Sequence, residues 1–148
     1  MKINDLMTKK LIVCDYDDTV LFVSNLMKQY DVGFILVMKD KKLRGVVTDR
    51  DLVCNLAEDV TIIDGYITKN VISIDENEDV KEALNLMKNN KIKRLVITND
   101  NKITGVLSLS DLLNANIDND KLLETLRVIY KINRNDSYFE ANVNDYIL

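Results

Sequence analysis

The stretch GVVTDRDL, Gly45 to Leu52, returns about sixty residues later as GVLSLSDL, Gly105 to Leu112. Each copy holds a hydroxyl, Thr48 or Ser108, and a carboxylate three positions on, Asp51 or Asp111. Two chemistries fit that spacing. One is helix capping, in which the hydroxyl sits at the N-cap and the acid reaches back from the third helical position. Capping explains the hydroxyl and the acid, but it does not demand Asp over Glu, which reaches back better. The other is ligand binding. Backbone N–H groups at a strand-to-helix turn hold phosphate oxygens, and the hydroxyl can donate to the same oxygens. Asp repels phosphate but accepts well from two vicinal hydroxyls, the part acidic residues play at the ribose in dinucleotide folds. Hydroxyl for phosphate and Asp for ribose together describe a nucleotide. Both readings stay open at this point. The leading glycines, Gly45 and Gly105, read as places for a tight turn or a close backbone contact.

These groups need a scaffold that presents them twice, and the chain supplies one. Shifted by sixty, LMTKKLIVCDYDDTV lies over YITKNVISIDENEDV without a gap. Roughly 15 of about 50 paired positions are identical, which marks a duplicated unit. Each unit opens on a short apolar run expected as a strand, Leu11–Cys14 and then Val71–Ile74. Val20, Val23, Met27 and Tyr30 in the first unit, and Val80, Ala83, Leu84 and Met87 in the second, keep helical spacing. Two β-rich runs follow, 34–38 and 43–48, repeated as 94–98 and 103–108, joined by the turns KDKK and NDNK. A short helix begins at Asp49 and again at Leu109. The unit is β-α-β-β-α, an α/β (α+β) class. Fifty residues bury little apolar surface alone, so two units packed sheet to sheet, with pseudo-twofold symmetry and clefts where they meet, are expected.

The bulk composition narrows the function. The chain has 148 residues, net charge −4, 47% hydrophobic and 30% charged residues. It lacks the basic footprint of a nucleic-acid binder, and an acidic balance disfavours an anionic membrane surface. Its start, MKINDLMTKK, has no apolar h-region, and no run approaches the roughly 20 residues of a membrane span. The two cysteines, Cys14 and Cys54, read as free thiols of a cytoplasmic protein. There is no histidine, which removes the commonest general base and metal ligand. No metal site and no enzyme are expected. The richness in Asn, Ile and Lys points to an AT-rich bacterial genome.

Two β-α-β-β-α units, each closing on Gly-x-x-Thr/Ser-x-x-Asp, resemble a tandem pair of CBS domains, named for cystathionine β-synthase and often called a Bateman module. The resemblance covers about residues 3 to 116, giving repeats at 1–60 and 61–117 and a remainder at 118–148. It implies a regulatory, non-catalytic module. Its clefts would take an adenosine-containing ligand, AMP, ADP, ATP or S-adenosylmethionine, as a regulatory ligand and not a cofactor. It also implies a homodimer, often a flat disc of two pairs. Carried over by position, Thr48 and Asp51 serve one cleft and Ser108 and Asp111 the other. Lys93 and Arg94, in KIKRLVI, correspond to residues that meet phosphates, and Arg50 beside Asp51 could meet a polyphosphate. Ser73 fits a first-strand hydroxyl near adenine, whereas its counterpart Val13 does not. Gly33 and Phe34 replace Lys93 and Arg94 in the first unit, and the proline that usually opens the second strand is replaced by Leu36 and Val96. The two clefts are therefore expected to be unequal.

Beyond Asn116, residues Leu122, Leu123, Leu126, Ile129 and Tyr130 form a helical apolar stripe. It reads either as a cover for the module or as a dimer or partner contact. Apolar residues near the end, Tyr138, Phe139, Tyr146, Ile147 and Leu148, read as a docking segment for the module, a dimer mate or a protein partner. Two functions remain: a sensor of energy or metabolite state signalling through a partner or its dimer, and a ligand-free interaction module acting through its dimer and tail.

Overall fold

A computed structural model describes residues 1–55, 61–115 and 117–131. The first unit runs β1 (Val13–Asp15), α1 (Val20–Tyr30), β2 (Phe34–Lys39), β3 (Lys42–Thr48) and α2 (Asp49–Cys54). The second repeats it as β4 (Ser73–Asp75), α3 (Val80–Asn90), β5 (Arg94–Asn99), β6 (Lys102–Ser108) and α4 (Leu109–Leu113). A further helix, α5, spans Asn119–Ile129. Each unit has a three-stranded sheet, β1-β2-β3 or β4-β5-β6, with the first pair parallel and the second antiparallel. The hairpins close through Asp40–Lys41 and Asp100–Asn101, all with positive φ, as two-residue turns require when they follow the strand twist. The opening strands start two residues later than the apolar runs suggest. Ile12 and Ile72 still accept from Leu36 and Val96 N–H, but the side chains of Leu11 and Val71 pack between the sheets.

The apolar runs of β2 and β5 are buried on both faces. Ile35 and Val37 join Val23 and Met27 of α1 and Val47 of β3 in the first unit's core. Leu36 points the other way and meets Val46 and Val96 in a cluster between the two sheets. The second unit has the same arrangement around Leu95, Ile97, Ala83 and Met87. This double burial gives β2 and β5 continuous rather than alternating hydrophobicity.

The two units also exchange their leading segments. Ile3 and Met7 are buried in the second unit's core, and the N–H groups of Ile3 and Asn4 bond to the carbonyls of Glu78 and Glu76. Ile63 and Tyr66 are buried in the first unit's core, and Ile63 N–H bonds to Asp18. Thr8 bridges Val106 of β6, and Thr68 bridges Val46 of β3. These crossings explain the motif glycines. A Cβ at Gly45 would stand 2.6 Å from the Thr68 carbonyl oxygen; one at Gly105 would stand 2.7 Å from Met7 Sδ and 3.0 Å from the Thr8 oxygen.

Helix α5 covers the second unit. Leu122 is buried there, with Leu126 and Ile129 packed beside it, and Lys88 Nζ of α3 lies 3.1 Å from Glu124. The cover expectation for this stripe is met for those three residues, while Leu123 and Tyr130 stay exposed. The apolar residues from Tyr138 to Leu148 lie outside the described residues.

Both cysteines are free, Cys14 buried and Cys54 exposed. Burial, reinforced by Asp18 and Asp15, pushes the Cys14 thiol up to about 12. The thiolate is the reactive form. A disulfide-exchange reagent at pH 8 is therefore expected to modify Cys54 alone in the folded protein, and Cys14 only after denaturant is added. Rapid reaction of two thiols in the native state would contradict the buried placement of Cys14.

Candidate functional site: two clefts between the repeats

Both hydroxyl–carboxylate pairs form complete capping boxes. Thr48 Oγ1 accepts from Asp51 N–H at 3.2 Å, and Asp51 Oδ2 accepts from Thr48 N–H at 2.8 Å and from the Thr48 hydroxyl at 2.7 Å. Ser108 and Asp111 repeat this at 3.2, 2.7 and 2.6 Å. Each hydroxyl lies within hydrogen-bond distance of its own carboxylate, and Ser108 Oγ also lies 2.8 Å from Ser110 Oγ. Among the described residues, the hydrogen bonds to the Asp51 carboxylate converge on Oδ2, and Oδ1 takes none. Asp can cap with one oxygen and present the other, a division of labour that the short side chain permits.

Each box looks across at the other unit. Thr48 and Asp51 line a cavity whose opposite wall is Val71, Ile72, Lys91, Ile92 and Lys93 of the second unit. Ser108 and Asp111 line a second cavity, opposite Leu11, Ile12, Asp31, Val32 and Gly33 of the first. The two are pseudo-twofold mates at a sixty-residue offset. The exchanged segments build this pairing, because Thr68 and Thr8 carry the chain past the motif glycines into the wall of the facing cleft.

The clefts differ in size and charge. The larger encloses about 620 Å³ and the smaller about 220 Å³. Small-molecule sites occupy ~300–1,000 Å³; the larger cleft falls in that range and the smaller below it. The larger gathers the cations Arg50, Lys91, Lys93, Arg94 and Lys131 against Asp49 and Asp51. In the smaller, Lys10 and Arg94 face Asp31 and Asp111, with no excess of positive charge. The swap of Asp31 for Lys91 occurs at one structural position: both cap the preceding helix in the left-handed conformation, φ 53° in each. Arg94 borders both cavities, its guanidinium 5.5 Å from the ring centre of Phe34, which also borders both.

Thr48, Arg50, Asp51, Lys93 and Arg94 therefore come together in one cleft, and Ser108 and Asp111 stand in the other with Arg94 between. Ser73 lines neither. It is exposed on β4, in register with Val96 of β5. Sequence reasoning missed Lys91, which was legible as the partner of Asp31 in the repeat alignment. It also missed Ile129, Tyr130 and Lys131, which reach the larger cleft from the end of α5. No repeat signal exists for those three, because α5 lies outside the duplication.

Comparison with known proteins identifies the two repeats. The model of the CBS domain family matches residues 3–58 and 61–118. Protein YlbB of Bacillus subtilis (strain 168) is 33% identical over 145 residues, covering 93% of this chain and 98% of its own. A crystal structure of a conserved protein from Pyrococcus horikoshii superposes with a TM-score of 0.72 at 29% identity, over 79% of this chain and 95% of that one. The CBS domain pair of protein MJ0100, solved with 5-methylthioadenosine and S-adenosyl-L-methionine, shares the fold: TM-score 0.70 at 20% identity, over 76% of this chain and 93% of that one.

Proposed function

The chain belongs to the CBS-domain family, and from that premise we propose that it is a non-catalytic regulatory module of the cytoplasm whose larger cleft binds a phosphorylated adenosine, AMP, ADP or ATP. The observation that carries this is the composition of one cavity. Asp51, whose Oδ1 takes no hydrogen bond among the described residues, lines the cavity together with Lys91, Lys93 and Arg94 of the other repeat. The carboxylate suits ribose hydroxyls and the cations suit phosphate oxygens. Apolar Val71, Ile72, Ile92 and Val96 supply a surface for a base. The adenosine ligands held by the MJ0100 domain pair support the class of ligand. The excess of cations favours phosphate over S-adenosylmethionine, which carries a sulfonium.

A ligand spanning both repeats binds their relative poses unequally, and that difference is what allows signalling. Output would pass through a homodimer or a protein partner. The dimer reading is supported by exposed apolar residues on α1, Leu21 (72% exposed) and Phe22. The corresponding α3 positions are Lys81 and Glu82. Among the described residues no helix is long and apolar enough to cross a membrane.

The test is thermal denaturation with AMP, ADP, ATP, S-adenosylmethionine and, as a control, GTP. Ligand at 100 times its dissociation constant adds about 2.7 kcal/mol. At roughly 2–4 °C per kcal/mol that is a shift of several degrees. A shift with a phosphorylated adenosine and none with GTP is expected. No shift with any of the five would replace this reading with that of an interaction module acting through its dimer and tail.

A further inference from the structure

We propose that the C-terminal end of α5 is a third wall of the larger cleft, and that an entering phosphate takes Lys93 away from Tyr130, so that occupancy is read at the end of this helix. The proposal rests on the nucleotide reading above and extends it to residues outside both repeats. Lys93 Nζ stands 4.3 Å from the centre of the Tyr130 ring. Ile129, Tyr130 and Lys131 border the cavity together with Lys93.

The body of α5 is fixed. Leu122 is buried, Leu126 and Ile129 pack on the second core, and Glu124 bonds to Lys88. Its last turn is held more lightly: Tyr130, 55% exposed, is tied to the helix by one N–H bond to Leu126 and to the repeat by the Lys93 contact. A cation over an exposed aromatic face is bound more weakly than the same cation on a phosphate oxygen. Lys93 cannot serve both in one position, so phosphate and ring compete for it. Linkage makes the competition reciprocal: whatever the ligand does to the Lys93–Tyr130 contact, the contact does to ligand affinity. In sequence, α5 is followed by residues 132–148, which include the apolar Tyr138, Phe139, Tyr146, Ile147 and Leu148. Signal and output would thus meet at Tyr130.

The test uses the full chain, with ADP and ATP as probes and adenosine as the uncharged control, all measured by calorimetry. Tyr130→Phe keeps the aromatic face and is expected to bind as the wild type does. Tyr130→Ala removes the competitor and is expected to tighten ADP and ATP about 2- to 5-fold while leaving adenosine unchanged. The chain has no tryptophan, so Tyr130→Trp introduces a single indole, whose emission is expected to change on saturation with the calorimetric midpoint of that variant. ADP and ATP binding that is equal or weaker in Tyr130→Ala, with the indole emission unmoved, overturns this proposal and leaves the nucleotide reading intact. Absence of ADP and ATP binding to the wild type overturns both.

Discussion

Asp51→Asn is expected to lower nucleotide affinity at least ten-fold while the melting temperature barely moves. The structure separates the two duties of this side chain. Oδ2 accepts from the Thr48 N–H and hydroxyl, and an Asn carbonyl oxygen can do the same. Oδ1, which takes no hydrogen bond among the described residues, would become an amide NH₂, which cannot accept from a ribose hydroxyl. A hydrogen bond to a charged group contributes about 1.5–3 kcal/mol, and 1.4 kcal/mol is ten-fold in affinity. Asp51→Ala is expected to lose the same affinity and, in addition, roughly 1 kcal/mol of stability with the cap. Asp111→Asn, in the smaller cleft, is expected to leave this affinity alone. The readings are calorimetry for binding and thermal denaturation for stability. If Asp51→Asn binds nucleotide as well as the wild type, the carboxylate only caps, and the ribose assignment is wrong.

Gly45→Ala is expected to be more damaging than Gly33→Ala or Gly105→Ala, because its closest clash is with backbone. The added Cβ would stand 2.6 Å from the Thr68 carbonyl oxygen and 3.2 Å from Ile67 Cδ1. That oxygen accepts from Val46 N–H, and Thr68 N–H donates back to Val46, so the crossing segment cannot withdraw without losing both bonds. Overpacking of this kind costs about 1–3 kcal/mol, or several degrees of melting temperature at roughly 2–4 °C per kcal/mol. Gly105→Ala is expected to cost less, because its closest clash is with a side chain, Met7, and the nearest backbone atom, the Thr8 oxygen, stands at 3.0 Å rather than 2.6 Å. Equal melting temperatures for wild type and Gly45→Ala would show that the crossing is looser than its hydrogen bonds imply.

Much of this was legible in the sequence because the duplication supplies its own control. Helical spacing at Val80, Ala83, Leu84 and Met87 marked α3, and all four are buried. The box residues were legible from their three-residue spacing, and so was the inequality of the clefts, from Gly33 and Phe34 opposite Lys93 and Arg94. The first strands were misplaced by two residues. An apolar run shows that Leu11 and Val71 avoid water, and they are partly buried, but it does not show whether a ladder or the space between the sheets covers them. Ser73 was assigned to a ligand by its strand position alone. Only the three-dimensional course of β4 shows that its side chain stays outside both cavities. Lys131 and Tyr130 were illegible for a different reason: a helix outside the repeat carries no partner in the sequence to say where its end will lie. The exchange of leading segments was equally hidden, since the repeat alignment is the same whether each segment packs on its own unit or on the other.

That exchange limits how the molecule can move. Each repeat carries the other's strap: Ile3 and Met7 fill one core and Ile63 and Tyr66 the other, although each pair precedes the opposite unit in the chain. Pulling the halves apart would empty both cores at once, so the clefts cannot gape like a hinged jaw. The halves also share the buried contact of Leu36, Val46 and Val96. A backbone cut between residues 55 and 61 should accordingly leave two fragments clasped together, still folded and still forming both clefts.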